Sequence, residues 1–124
     1  MKYFEKLELI NADLDRLFSE SGPNEHSPFR MMTRLLEEAG ELAEQVHIFE
    51  GSGAKPKKHG KPDPKKMAKE IQDVIGCALQ VAKHYEIMSD VKKGIDQRFE
   101  SRLQAGRFTA DELRVVNAWP LKNV

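Results

Sequence analysis

The stretch RLLEEAGELAEQV (34–46) carries Glu37, Glu38, Glu41 and Glu44, and KEIQD (69–73) carries Glu70 and Asp73. Like charges three or four apart on an exposed helix cost roughly 0.2–0.5 kcal/mol per pair. Of the residues four positions beyond the first four acids, two are apolar, one is Gln45 and one is Glu41 itself; only Arg34, one turn upstream, offers compensation. At about 100° per residue, Glu38 and Glu41 lie roughly 60° and 120° to one side of Leu35, and Glu70 and Asp73 lie at the same two angles from Met67. Both pairs therefore border an apolar stripe, where partial desolvation makes clustered carboxylates costly unless a cation neutralises them. Four carboxylates with no thiolate and no obligatory His suit a hard cation, Mg²⁺ or Mn²⁺.

The same spacing also describes a solvated helix face in a chain with 32% charged residues, with Lys66 and Lys69 pairing one turn along with Glu70 and Asp73. Glu44 and His47 form an E-x-x-H, the unit of di-iron helical bundles. Such centres need a second copy on another helix, and none is present, so His47 reads as an ordinary helix residue and Glu44 as a solvent-facing one.

These acids must be held by helices. Tyr3, Leu7, Ile10, Leu14 and Leu17 recur at helical spacing in a first helix that Gly22-Pro23 ends. Ser27-Pro28 gives an N-cap and first helical residue for a second helix with the stripe Leu35, Ala39, Leu42 and Val46, stopped near Gly51. Asp63-Pro64 repeats the signal for a third, with Met67, Ile71, Val74, Ala78 and Val81, running to about Tyr85. A fourth starts at Ser89 or Asp90, buries Val91, Ile95, Phe99 and Leu103, and stops at Gly106. Thr109 and Glu112 make a capping box opening a short last helix. No segment alternates like a strand, so the expectation is an all-α four-helix bundle in one domain, 1–124, with the helices on either side of the 51–66 loop antiparallel.

That loop, GSGAKPKKHGKPDPKK, holds three Gly, three Pro and six Lys against Asp63 alone. It reads either as a solvated mobile linker, about 51–63, or as a flexible cover that meets a polyanionic substrate. Elsewhere charge is balanced: twenty basic and twenty acidic side chains cancel, so no global field draws the chain to nucleic acid or to an anionic membrane. The lone Cys77 forms no intrachain disulfide, and the charged opening segment contains no apolar run of signal-peptide or membrane-spanning length, so a cytoplasmic protein is expected.

Taken together, E37-E38-A-G-E41 and, after 28 intervening residues, E70-I-Q-D73 resemble the E-E-x-x-E … E-x-x-D signature of the MazG-like, all-α nucleoside triphosphate pyrophosphohydrolases. The likeness covers roughly residues 28–105. It implies Mg²⁺-dependent hydrolysis of a nucleoside or deoxynucleoside triphosphate to the monophosphate and pyrophosphate. Glu38, Glu41, Glu70 and Asp73 would be the metal ligands, and Glu37 would orient or deprotonate the attacking water or hold an additional ion. The family also uses cations of its fourth helix for the phosphates, often as K-x-x-x-N-x-x-R. Here Lys93 matches the lysine, Asp96 or Gln97 stands where Asn would, and Arg98 and Arg102 are at shifted spacings. Lys93 and Arg102 are the expected phosphate contacts, and the base preference is left open. The resemblance further implies a homodimer or dimer of dimers. Phe108 and Trp119 either shelter a base or pack the tail. Two other functions fit the same residues: a phosphoribosyl-ATP pyrophosphohydrolase, or a catalytically silent helical interaction domain, which has no reason to hold five such acids.

Overall fold

The computed structural model describes residues 2–19, 27–51 and 61–115. The chain is all-helical there: α1 (Tyr3–Ser19), α2 (Pro28–Glu50), α3 (Pro64–His84) and α4 (Met88–Gln104), then a short helical segment over 110–115. Among the described residues there is no strand, and no helix is long and apolar enough to cross a membrane. The Gly22-Pro23 break, most of the basic loop and Trp119 lie outside the described residues.

The helix boundaries follow from local chemistry. Ser27 accepts a hydrogen bond from the Arg30 amide (3.1 Å) and Asp63 from the Lys65 amide (2.9 Å), each satisfying a first-turn N–H, with a proline fixing the next φ. Gly51, at φ 69°, closes α2 in the left-handed conformation that side chains disfavour. In the capping box the Thr109 amide donates to Glu112 (2.8 Å) and the Glu112 amide to the Thr109 hydroxyl (3.1 Å). α4 starts earlier than its polar residues imply, at Met88 after Ile87, with no side-chain cap. The turn from α3 supplies the ordering instead: Glu86 takes φ 57° and the Ile87 amide donates to the Ala82 carbonyl (2.9 Å).

α2 packs along α3, while α1 and α4 each meet α3 over a shorter stretch; no other pair of these helices brings Cα atoms within 8 Å. The buried apolar residues are Met31, Ile48, Leu79 and Ala82. This corrects the expected stripes. On α2, Leu35 and Leu42 are half-buried but Ala39 and Val46 are exposed; on α3, Met67, Val74 and Val81 are half-buried but Ile71 and Ala78 are exposed; on α4, Ile95 and Phe99 lie open and nothing is fully buried. Tyr3, Ile10 and Leu17 of α1 are also exposed. The reason is geometric: α2 and α3 each carry an apolar arc wider than one neighbour can cover. Measured from Glu38, Phe29, Met32 and Leu36 fall roughly 120–180° round α2 and Val46 about 80°, and measured from Glu70, Ile71 and Ile75 fall roughly 100–140° round α3. Antiparallel packing puts both sets on one side of the pair, opposite α1.

Two amides are the buried exceptions, Asn11 and Gln80, each 4% exposed. The Asn11 amide donates to the Gly76 carbonyl (2.9 Å), tying α1 to α3, and Arg34 of α2 donates to the Gln80 carbonyl (2.9 Å). Ion pairs at the edges, Lys83–Asp15 and Lys92–Glu8 (both 2.8 Å), add little on their own because they are partly solvated.

Candidate metal centre

Glu38 and Glu41 sit one turn apart on α2, and the antiparallel run of α3 brings Glu70 opposite them. One oxygen from each of the three lies within 4.8 Å of the others. Glu38 and Glu70 are half-buried and Glu41 is exposed, so the cluster opens on one side to solvent. One carboxylate oxygen of Glu38 and one of Glu70 are buried without a hydrogen-bond partner. Buried polar atoms are ordinarily satisfied.

Burial, reinforced by the charges of Glu41 and Asp73, pushes the Glu38 carboxyl up from 4.5 to about 7. Burial also raises Glu70, followed by its hydrogen bond to Glu41. The cluster gathers these carboxylates at the seam of α2 and α3. Its donors are all oxygens, two of them orphaned and buried, which fits a hard divalent ion. Glu38, Glu41 and Glu70 would hold it.

A carboxyl whose folded pKa is raised contributes stability that is present below its unfolded value and is lost as pH rises through the folded one. For Glu38 the window runs from 4.5 to about 7. The metal-free chain is therefore expected to lose stability between pH 4.5 and 8 from this group, and the loss should shrink in Glu38→Gln. Chemical denaturation in EDTA across that range is the check; equal slopes for the two proteins would remove Glu38 as the cause.

The other expected residues are placed as follows. Asp73 is half-buried, one turn beyond Glu70, and its carboxylate takes an ion pair from Lys69 at 3.0 Å. This realises half of the alternative pairing; Lys66 makes no such pair among the described residues. The Asp73 bond raises the Lys69 pKa. Glu37 is exposed beside the cluster, and Glu44 and His47 are exposed and outside it. Lys93 and Arg102 lie on α4, which meets α3 and not α2. Lys93 is exposed while its neighbour Lys92 is engaged by Glu8, and Arg102 donates to the Arg98 carbonyl (3.2 Å). Phe108 stacks on Phe99 with ring centres 5.3 Å apart, the packing role of its two expected ones.

Sequence reasoning missed a cleft of about 210 Å³ that runs from Glu38 and Asp73 between α1, α2 and α3, past Arg34 and Cys77, to Asn11 and Gln80. Burial first, then the Glu38 charge, raises the Cys77 thiol, which keeps it protonated and unreactive. A signal for the cleft did exist: Gln80 is the one polar side chain in the run from Val74 to Ala82, and Asn11 interrupts the α1 stripe beside Ile10.

Fold and site together define an all-helical protein with a carboxylate cluster between two antiparallel helices. Over 95 residues the chain is 36% identical to the uncharacterized protein YpjD of Bacillus subtilis, covering 75% of this chain and 82% of that one, and it belongs to the same family. It is also 29% identical over 104 residues to the uncharacterized protein YvdC of the same organism, covering 79% of this chain and 98% of that protein. No family model matches the chain, and no solved structure matches it either.

Proposed function

We propose that this chain is a MazG-like, Mg²⁺-dependent nucleotide pyrophosphohydrolase that converts a nucleoside or deoxynucleoside triphosphate to the monophosphate and pyrophosphate. The observation that carries the reading is the cluster of Glu38, Glu41 and Glu70 with its two buried, unpartnered oxygens. A bound divalent ion lowers the pKa of coordinated water and offsets charge on phosphoryl oxygens. Asp73 joins the ligand set by giving up Lys69, a change that costs little because the lysine end of that pair is solvated. Exposed Glu37 takes the proton of the water that attacks the α-phosphorus. The bond from that phosphorus to the bridging oxygen breaks, and the pyrophosphate leaves with both electrons. Lys69, within reach of the cluster, is available to a phosphate once released from Asp73.

The active form in this proposal is a homodimer, of which a dimer of dimers is an extension, acting in the cytoplasm without nucleic acid or membrane. A second copy is the occupant that suits the exposed side of the α2–α3 pair, since Phe29, Met32, Leu36, Ile71 and Ile75 form a surface that a two-fold axis can set against itself. Two such pairs make a four-helix bundle, and the partner's fourth helix is then the source of the phosphate-binding cations.

The test is pyrophosphate release from a panel of nucleoside and deoxynucleoside triphosphates and phosphoribosyl-ATP, with and without Mg²⁺, on protein sized by light scattering. Mg²⁺-dependent release from a triphosphate by a species of twice 14.2 kDa or more is expected. Turnover of phosphoribosyl-ATP alone would transfer the reading to that enzyme, and no turnover at all would favour a silent interaction domain.

A further inference from the structure

The cleft behind the carboxylates is built, and its polar groups point to one kind of occupant. Leu7, Ile10 and Leu14 of α1 give it an apolar wall, and Gly76 of α3 presents no side chain: a Cβ there would meet Asn11 Oδ1 at 3.5 Å. Both buried amides have their orientation fixed by their partners. Asn11 uses its N–H on the Gly76 carbonyl and so offers Oδ1, an acceptor. Arg34 has only donors, so the Gln80 atom facing it is the carbonyl, and the two N–H bonds of Gln80 are left. Neither Asn11 Oδ1 nor the Gln80 N–H group has a hydrogen-bond partner among the described residues. Gln80 lies seven residues beyond Asp73, about 10 Å along α3, the span of a nucleoside.

Resting on the pyrophosphohydrolase reading, we infer that this cleft is the nucleoside subsite of the carboxylate centre, and that Gln80 and Asn11 select a pyrimidine base. Two donors and one acceptor complement an edge with two acceptors and one donor. Cytosine presents that set as N4–H followed by the adjacent acceptors N3 and O2, both within reach of one NH2 group; uracil's acceptors O4 and O2 flank N3–H, so one of them is met. Guanine presents the inverse on its corresponding edge, and adenine lacks the second acceptor there. The α1 leucines and Ile10 cover the ring face, and Glu38 and Asp73 at the mouth leave the phosphates at the metal.

Free nucleosides test the subsite apart from the chemistry, since they carry no phosphate and need no ion. In NMR titrations of the full chain in EDTA, cytidine or uridine should shift the Gly76, Cys77 and Gln80 amides and bind at least tenfold tighter than adenosine or guanosine. Gln80→Glu keeps a carbonyl for Arg34 but puts an acceptor where the N–H group was, and should weaken pyrimidine binding roughly tenfold. In turnover it should raise KM for the pyrimidine triphosphate with kcat little changed. Equal or tighter purine binding, or no nucleoside binding, overturns the subsite even where triphosphates are hydrolysed. Pyrimidine binding by a protein that hydrolyses nothing upholds the cleft and removes the enzymatic reading instead. Should Gln80→Glu fail to fold, the wild-type comparison decides alone.

Discussion

Replacing Glu38 by Gln is expected to reduce the proposed Mg²⁺-dependent pyrophosphate release by roughly 10³-fold or more, because the substitution would remove an anionic ligand from a site whose proposed catalysis is mainly electrostatic. The exchange keeps the shape of the side chain and discards its charge. It also removes the group held at about 7 by burial and by Glu41, so the variant should be more stable than the wild type at pH 8 in EDTA while losing activity. Circular dichroism would report the helices and a pyrophosphate assay the turnover. The opposite signs matter, since a structural carboxylate that merely held α2 to α3 would lose both together. Unchanged turnover would detach Glu38 from the chemistry, and a metal-free destabilisation would mark it as the member of a salt bridge.

How much of this was legible in the sequence depends on which physical signal each residue leaves. The acids were legible because helical periodicity converts E-E-x-x-E and E-x-x-D into positions beside an apolar stripe, and Glu38, Glu41 and Glu70 do converge. The helix starts at Ser27 and Asp63 were legible because capping is local chemistry. The start of α4 was not, since a turn from the preceding helix replaced the polar cap. The half of each apolar arc that faces inward was not legible either. Val46 and Ile71 have the composition of core residues, and only the position of α3 or α2 relative to them decides otherwise. Asn11 and Gln80 left a faint trace, single amides within apolar runs, and their meaning comes from partners 65 and 46 residues away in the chain. Lys93 and Arg102 were read by motif position alone, and their helix meets α3 but not α2, the helix that carries Glu38 and Glu41.

The central claim, that carboxylates of α2 and α3 hold a divalent cation, is open to direct measurement with Mn²⁺ as the spectroscopic stand-in for Mg²⁺. Burial and the neighbouring carboxylates raise the Glu38 carboxyl to about 7, and a bound ion competes with that proton, so binding should strengthen as pH rises through about 7. Titration of the full chain with Mn²⁺ at pH 8, followed by the loss of the free-ion electron paramagnetic resonance signal, should give saturable binding that Mg²⁺ competes away. Glu70→Gln, on the helix opposite Glu38, should weaken it by tenfold or more while leaving the helices intact. Indistinguishable Mn²⁺ binding by the wild type and Glu70→Gln, or none by the wild type, would contradict the claim.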